Sequence, residues 1–168
     1  MNSQISSPLW LRPKLWVGLA AVVLLSLWLG IPTFNKWQAD KMVDELCAKD
    51  GGIKVYETVK LPSAKFSEFG EIYVPEKKYA KPTDEYYYTS ETLWIIPEGT
   101  QVRDLDLRRY NDKLFRAKDG KLLAEGIGYS RRGGDAAGPW HPSHYACPMQ
   151  SDIKNVNQKT FLMIKTGR

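Results

Sequence analysis

The chain has 168 residues, 43% hydrophobic and 26% charged, with two cysteines and two histidines, a length that fits one ordinary domain plus an anchor. A net charge of +5 invites a nucleic-acid partner, but the 24 Lys and Arg are interspersed with 19 Asp and Glu. A phosphate binder concentrates its cations on one face, so no nucleic acid is expected as a partner.

Residues 1–14 are polar, hold Pro8 and Pro13, and read as a cytoplasmic tail. Leu15–Ile31, LWVGLAAVVLLSLWLGI, carries no charge, and its only polar side chain is Ser26. At about 1.5 Å of rise per residue this is the short end of a membrane-crossing helix. Trp10, Trp16, Trp28 and Trp37 lie near its ends, where an indole suits the headgroup layer. We read residues 15–34 as a transmembrane anchor. A cleaved signal peptide has a shorter apolar core and a small-x-small site. Here Pro32, Thr33, Phe34 and Asn35 follow, so the anchor is expected to stay attached. Arg12 and Lys14 precede it, and a short basic tail translocates poorly. The N-terminus is therefore expected in the cytoplasm and residues 35–168 outside it.

Pro32 is expected to bend or end the membrane helix. Beyond it, Ala39, Met42, Val43, Leu46 and Cys47 recur at helical spacing as one apolar stripe. Lys36, Asp40, Lys41, Asp44 and Glu45 are expected on the opposite side, and Gly51-Gly52 to stop the helix. Cys47 then points inward. In an oxidising compartment it is expected to bond Cys147, closing a loop of about 100 residues for a gain of up to ~4.7 kcal/mol. No C-x-x-C motif supports thioredoxin-like chemistry.

After Gly52 the period changes to two. Ile53, Val55 and Val59 alternate with Lys54, Tyr56, Thr58 and Lys60, predicting one strand ended by Leu61-Pro62. Residues 63–85 are polar, hold several prolines and read mostly as loop. Tyr86–Ile96, YYYTSETLWII, predicts a strand on which Tyr86 and Tyr88 share one face and Tyr87 takes the other. Arg103–Lys118 and Lys121–Arg132 flank Asp119-Gly120, predicting a hairpin with a type I′ turn. In that register Lys118 faces Lys121, Ala117 faces Leu122 and Phe115 faces Ala124. Residues 131–142 read as a glycine-rich loop, and Phe161–Ile164 as a last strand. Without helical patterns between the strands, the expected class is α+β: an N-terminal transmembrane helix, a juxtamembrane helix, then a small antiparallel β-sheet domain.

His141, His144 and Cys147 form H-x2-H-x2-C, with Asp135 a candidate fourth metal ligand. Structural zinc sites pair such a cluster with a second one, which this chain lacks, and a disulfide-bonded Cys147 is no thiolate. Arg131-Arg132-Gly133-Gly134-Asp135 has the glycines of an anion cradle but not the Lys-Ser/Thr ending or the strand-to-helix setting of a P-loop; it reads as a solvated turn. There is no G-x-S-x-G, and both histidines sit in one short stretch. No catalytic residue, metal or cofactor is expected.

The strings LCAKDGGIKVYETVKLP (Leu46 to Pro62) and YSRRGGDAAGPWHP (Tyr129 to Pro142) resemble segments of bacterial single-pass inner-membrane proteins with no assigned activity. The resemblance implies a bacterial source, and hence a domain in the periplasm. The leading expectation is a non-enzymatic accessory protein that binds another envelope protein, of a pilus, secretion or conjugation assembly. Tyr86, Tyr88, Trp94 and Trp140 are the candidate docking aromatics. One alternative is a periplasmic metal-handling or hydrolytic domain built on the 131–147 loop; another is a surface-exclusion protein.

Overall fold

The computed structural model describes residues 13–97, 99, 104–136, 138–139, 141–147 and 152–164. Trp10, Arg12, Arg103 and Trp140 lie outside the described residues. One helix of 38 residues, α1 (Pro13–Asp50), carries the chain from the apolar segment into the domain. Among the described residues it alone is long and apolar enough to cross a membrane, and its apolar window packs against nothing in the chain. A core helix of a soluble protein would be covered.

The helix does not end at Pro32: membrane and juxtamembrane segments are one continuous helix. Proline lacks the N–H that would serve the Trp28 carbonyl, and its ring crowds the turn before it. The Thr33 hydroxyl donates to the Leu29 carbonyl at 2.7 Å, and Ser26 donates to Val22 at 2.8 Å. Both hydroxyls bond back one turn within the helix and neither reaches the Trp28 carbonyl; α1 nonetheless continues to Asp50.

The domain is α+β. Its main sheet runs β1 (Gly52–Val55), β5 (Leu122–Arg132), β4 (Asp106–Arg116), β3 (Tyr86–Ile96), all antiparallel, with β6 (His144–Cys147) also on β5. β1 and β6 share one edge of β5: β1 pairs with Ala124–Ile127, β6 with Tyr129–Arg132. A parallel pair lies apart, β2 (Val59–Pro62) against β7 (Phe161–Ile164). The single strand expected over residues 53–60 is thus two. Between them the N–H groups of Tyr56 and Glu57 both donate to the Leu123 carbonyl, at 2.8 and 3.1 Å, and turn the chain off the sheet.

The β4–β5 hairpin forms, with a different turn. Type I′ needs positive φ at both central residues; Gly120 has φ +67°, and no residue other than glycine is positive among those described. The loop is Ala117–Gly120, closed by Arg116 N–H to Lys121 O and Gly120 N–H to Arg116 O, both 2.9 Å. The Asp119 carboxylate favours it by accepting Lys121 N–H at 3.1 Å and the Arg116 guanidinium at 3.0 Å. The longer loop shifts the register. Phe115 faces Leu122 rather than Ala124, and the Lys118–Lys121 and Ala117–Leu122 pairs do not form. Leu123 becomes the extra residue of a bulge, so the adjacent Leu123 and Ala124 are both fully buried.

Alternation along the strands gives two faces, each with its own core. One packs Leu114, Leu123 and Ala124 against Leu61, Val74, Val156 and Phe161. It is covered by the β2–β7 pair and by α2 (Ile153–Thr160), a helix that the sequence reading passed over. Asp152 caps α2 by accepting Asn155 N–H at 3.0 Å. Tyr86 and Tyr88 pack on this face, while Tyr87 stacks on Phe115 on the other, ring centroids 5.3 Å apart. The second core sets Val43 and Cys47 of α1 against Leu107, Ile127 and Tyr129.

Candidate functional site

The C-terminal third of α1 lies across the sheet and grips it through a row of polar contacts. From the membrane outward, Lys36 Nζ donates to Asp135 Oδ1 at 3.0 Å, Arg131 Nε to Asp40 Oδ1 at 2.6 Å, and Tyr145 OH to Asp44 Oδ1 at 2.7 Å. Cys47 is then disulfide-bonded to Cys147, Cα atoms 5.9 Å apart. Asp50 ends the row, accepting Tyr129 OH at 2.6 Å and Arg109 Nη2 at 3.3 Å.

Lys36, Asp40 and Asp44 were expected on the solvent side. They stand four residues apart, one row over from Ala39, Val43 and Cys47, which are the buried residues of α1. The sheet touches the helix along a seam only that wide, so Met42 remains 41% exposed and the acids beside the seam reach the strands instead.

The membrane-proximal end of the row is a closed clasp. The Arg131 side chain is 3% exposed. Besides Asp40 it donates through Nη1 to Gly133 O at 2.6 Å and Ser143 Oγ at 2.8 Å. Asp135 Oδ2 accepts Ser143 N–H at 2.6 Å. Gly133 and Gly134, at φ +74° and +79°, turn the chain into this loop. A Cβ on Gly134 would also stand 2.8 Å from Leu105 Cδ1, so only glycine fits. Burial disfavours the Asp135 carboxylate, but the Ser143 N–H and Lys36 outweigh it and hold Asp135 below the ordinary aspartate range. The Tyr129 hydroxyl, with Arg109, likewise lowers Asp50 against its own burial. Burial, then the bond to Asp50, pushes the Tyr129 phenol up.

The anion cradle suggested by Arg131–Asp135 is therefore occupied from within: Arg131 binds a carboxylate, that of Asp40 in the same chain. His141 and His144 are both exposed, and Cys147 is in the disulfide. Among the described residues no three of His, Cys, Asp and Glu gather as a metal would require. Tyr86 and Tyr88, candidate docking aromatics, are half-buried against the core; Tyr86 meets Phe161 edge-on at 4.9 Å. Trp94 is half-buried with the Arg108 guanidinium 5.6 Å above its ring. The most exposed aromatics among the described residues are Phe69, Tyr73 and Tyr79, at 88%, 85% and 70%. No pattern singled them out, because a loop has no periodicity to separate inward from outward. On the far face of the sheet Arg132 Nη2 pairs with the buried Asp106 at 2.9 Å.

This arrangement fastens a helix to a sheet; it does not set a nucleophile beside a base. No family model, curated protein or solved structure matches the chain.

Proposed function

We propose that the chain is a membrane-anchored, non-enzymatic binding protein of a bacterial envelope assembly, its domain in the periplasm and docked on another envelope protein. The observation that carries the reading is the exposure of Phe69, Tyr73 and Tyr79, each at least 70%, within the single segment joining β2 to β3. One exposed aromatic is ordinary; several in one segment are the composition of an interface centre. That segment is tied to the hairpin end of the sheet through Tyr88 N–H to Pro75 O at 3.0 Å, opposite the end that Arg131 clasps to α1. The rigid helix presents it at a set distance from the membrane, where confinement makes weak contacts effective. Arg12 and Lys14 support the outward orientation, and the resemblance to bacterial inner-membrane proteins supports the compartment.

A photo-crosslinking amino acid at Tyr73 of the full chain in cells is expected to capture one discrete protein, and the same residue at Lys118 is not. Failure to capture any protein from Phe69, Tyr73 and Tyr79 alike would overturn the docking reading. Separately, alkaline phosphatase fused after Arg168 is expected to be active; activity of a cytoplasm-only reporter there would reverse the topology.

A further inference from the structure

α1 leaves the membrane and enters the domain without a break, so the helix itself sets the height of the domain above the bilayer. Ile31 ends the apolar run. The first contact with the domain, Lys36 Nζ to Asp135 Oδ1, follows almost at once. That separation of about five residues is roughly 7.5 Å of rise. A bilayer has a hydrocarbon core of ~30 Å within ~40–45 Å overall, which leaves each headgroup layer about 5–7.5 Å deep. Helix tilt shortens the vertical component further. The Lys36–Asp135 bridge, and Ser143 whose N–H that carboxylate accepts, thus stand at headgroup level.

The side chains at this level suit that depth. Phe34 and Trp37 are 54% and 50% exposed, with ring centroids 6.0 Å apart. Lys41 Nζ sits 3.9 Å from the Trp37 ring centroid. An aromatic pair with a lysine just beyond it is the arrangement that anchors helices at an interface, rings among the headgroups and ammonium toward phosphate and water. On the domain's base, Asp135 and Asp106 are each bound to a cation, Lys36 and Arg132, so neither sets a bare carboxylate against the phosphates. In the same loop Pro139 and His141 are exposed.

We propose that residues 133–136, 138–139 and 141–143 form a phospholipid-headgroup contact surface, on which the domain rests against the outer leaflet of its own membrane rather than standing off on a stalk. The inference rests on reading residues 15–34 as the spanning segment. It deepens the proposed function by giving the domain one fixed orientation, base down and aromatic segment outward.

The test uses the full chain in nanodiscs of phosphatidylethanolamine and phosphatidylglycerol. A small fluorophore is placed in turn at Pro139, at Asp119 on the hairpin tip, and at Val22 in the anchor. Lipids carry a nitroxide either on the headgroup or in the acyl chain. Headgroup nitroxide is expected to quench Pro139 at least about twofold more than Asp119, because quenching needs residence in that thin layer. Acyl-chain nitroxide is expected to quench Val22. If Val22 is quenched while Pro139 is quenched no more than Asp119, the domain stands clear of the bilayer and the contact surface is refuted, with the anchor intact. If Val22 is not quenched, the anchor reading falls and this inference falls with it.

Discussion

Replacing Cys47 and Cys147 together by alanine is expected to lower the stability of the domain by about 2–5 kcal/mol. The bond spans 100 residues of sequence, and a loop of that length gives nearly the largest entropic constraint on the unfolded chain, up to ~4.7 kcal/mol. Its position adds a second effect. It joins α1 to β6 within the polar row, so without it the helix must stay docked through Ala39, Val43, Leu46 and the row's hydrogen bonds and ion pairs. The partly exposed pairs at Lys36 and Asp50 contribute about 0–1 kcal/mol each, which leaves the buried Arg131 pair as the main polar tie. Urea unfolding of the detergent-solubilised chain, followed by tryptophan fluorescence, measures this. The double variant and the reduced native protein should unfold at the same, lower midpoint. An unchanged midpoint in both would mean that the helix is held without the bond.

Arg131→Ala is expected to cost about 2–4 kcal/mol, near the low end of the ~3–5 kcal/mol for breaking a buried pair, because Asp40 keeps 29% of its side-chain exposure and recovers some hydration. The change leaves Asp40, Gly133 O and Ser143 Oγ without their shared donor. Arg131→Lys should recover little. A lysine brings a single ammonium, while the guanidinium serves Asp40 through Nε and the loop through Nη1. In a double-mutant cycle with Asp40→Asn, a coupling of at least about 1 kcal/mol is expected for groups in one network. Additive effects in the cycle would show that Arg131 acts on the loop alone.

Both variants act on the seam between α1 and the sheet, the part of the molecule least visible beforehand. The helix and its apolar spacing were plain at Ala39, Val43 and Cys47. Its polar side was not, since Lys36, Asp40 and Asp44 look like any solvated face until Arg131, Tyr145 and Asp135 arrive from about a hundred residues away. The α2 helix had a local signature, Asp152 ahead of Ile153, Val156, Asn157 and Thr160, and was passed over because it is short and polar on average. The hairpin was legible at Asp119-Gly120 but its register was not: the Asp119 carboxylate engages Lys121 and Arg116, and that selects a longer loop and a bulge at Leu123.

Properties carried by contiguous stretches were determined by sequence alone. These are the uncharged run from Leu15 to Ile31, the alternation that splits Tyr86 and Tyr88 from Tyr87, the hairpin's existence, and the α+β class. Each depends on the period or composition of neighbouring residues, which burial in a membrane or a sheet reads directly. The tertiary structure decided whatever depends on which distant groups meet. It let the helix run through Pro32 to Asp50. It turned the charged row of α1 toward the sheet, gave Arg131 to Asp40 rather than to a ligand, and left Phe69, Tyr73 and Tyr79 outside while drawing Tyr86 and Tyr88 in. A side chain's partner is set by the fold's geometry, and an arginine reads the same in sequence whether it faces solvent or a carboxylate on another element.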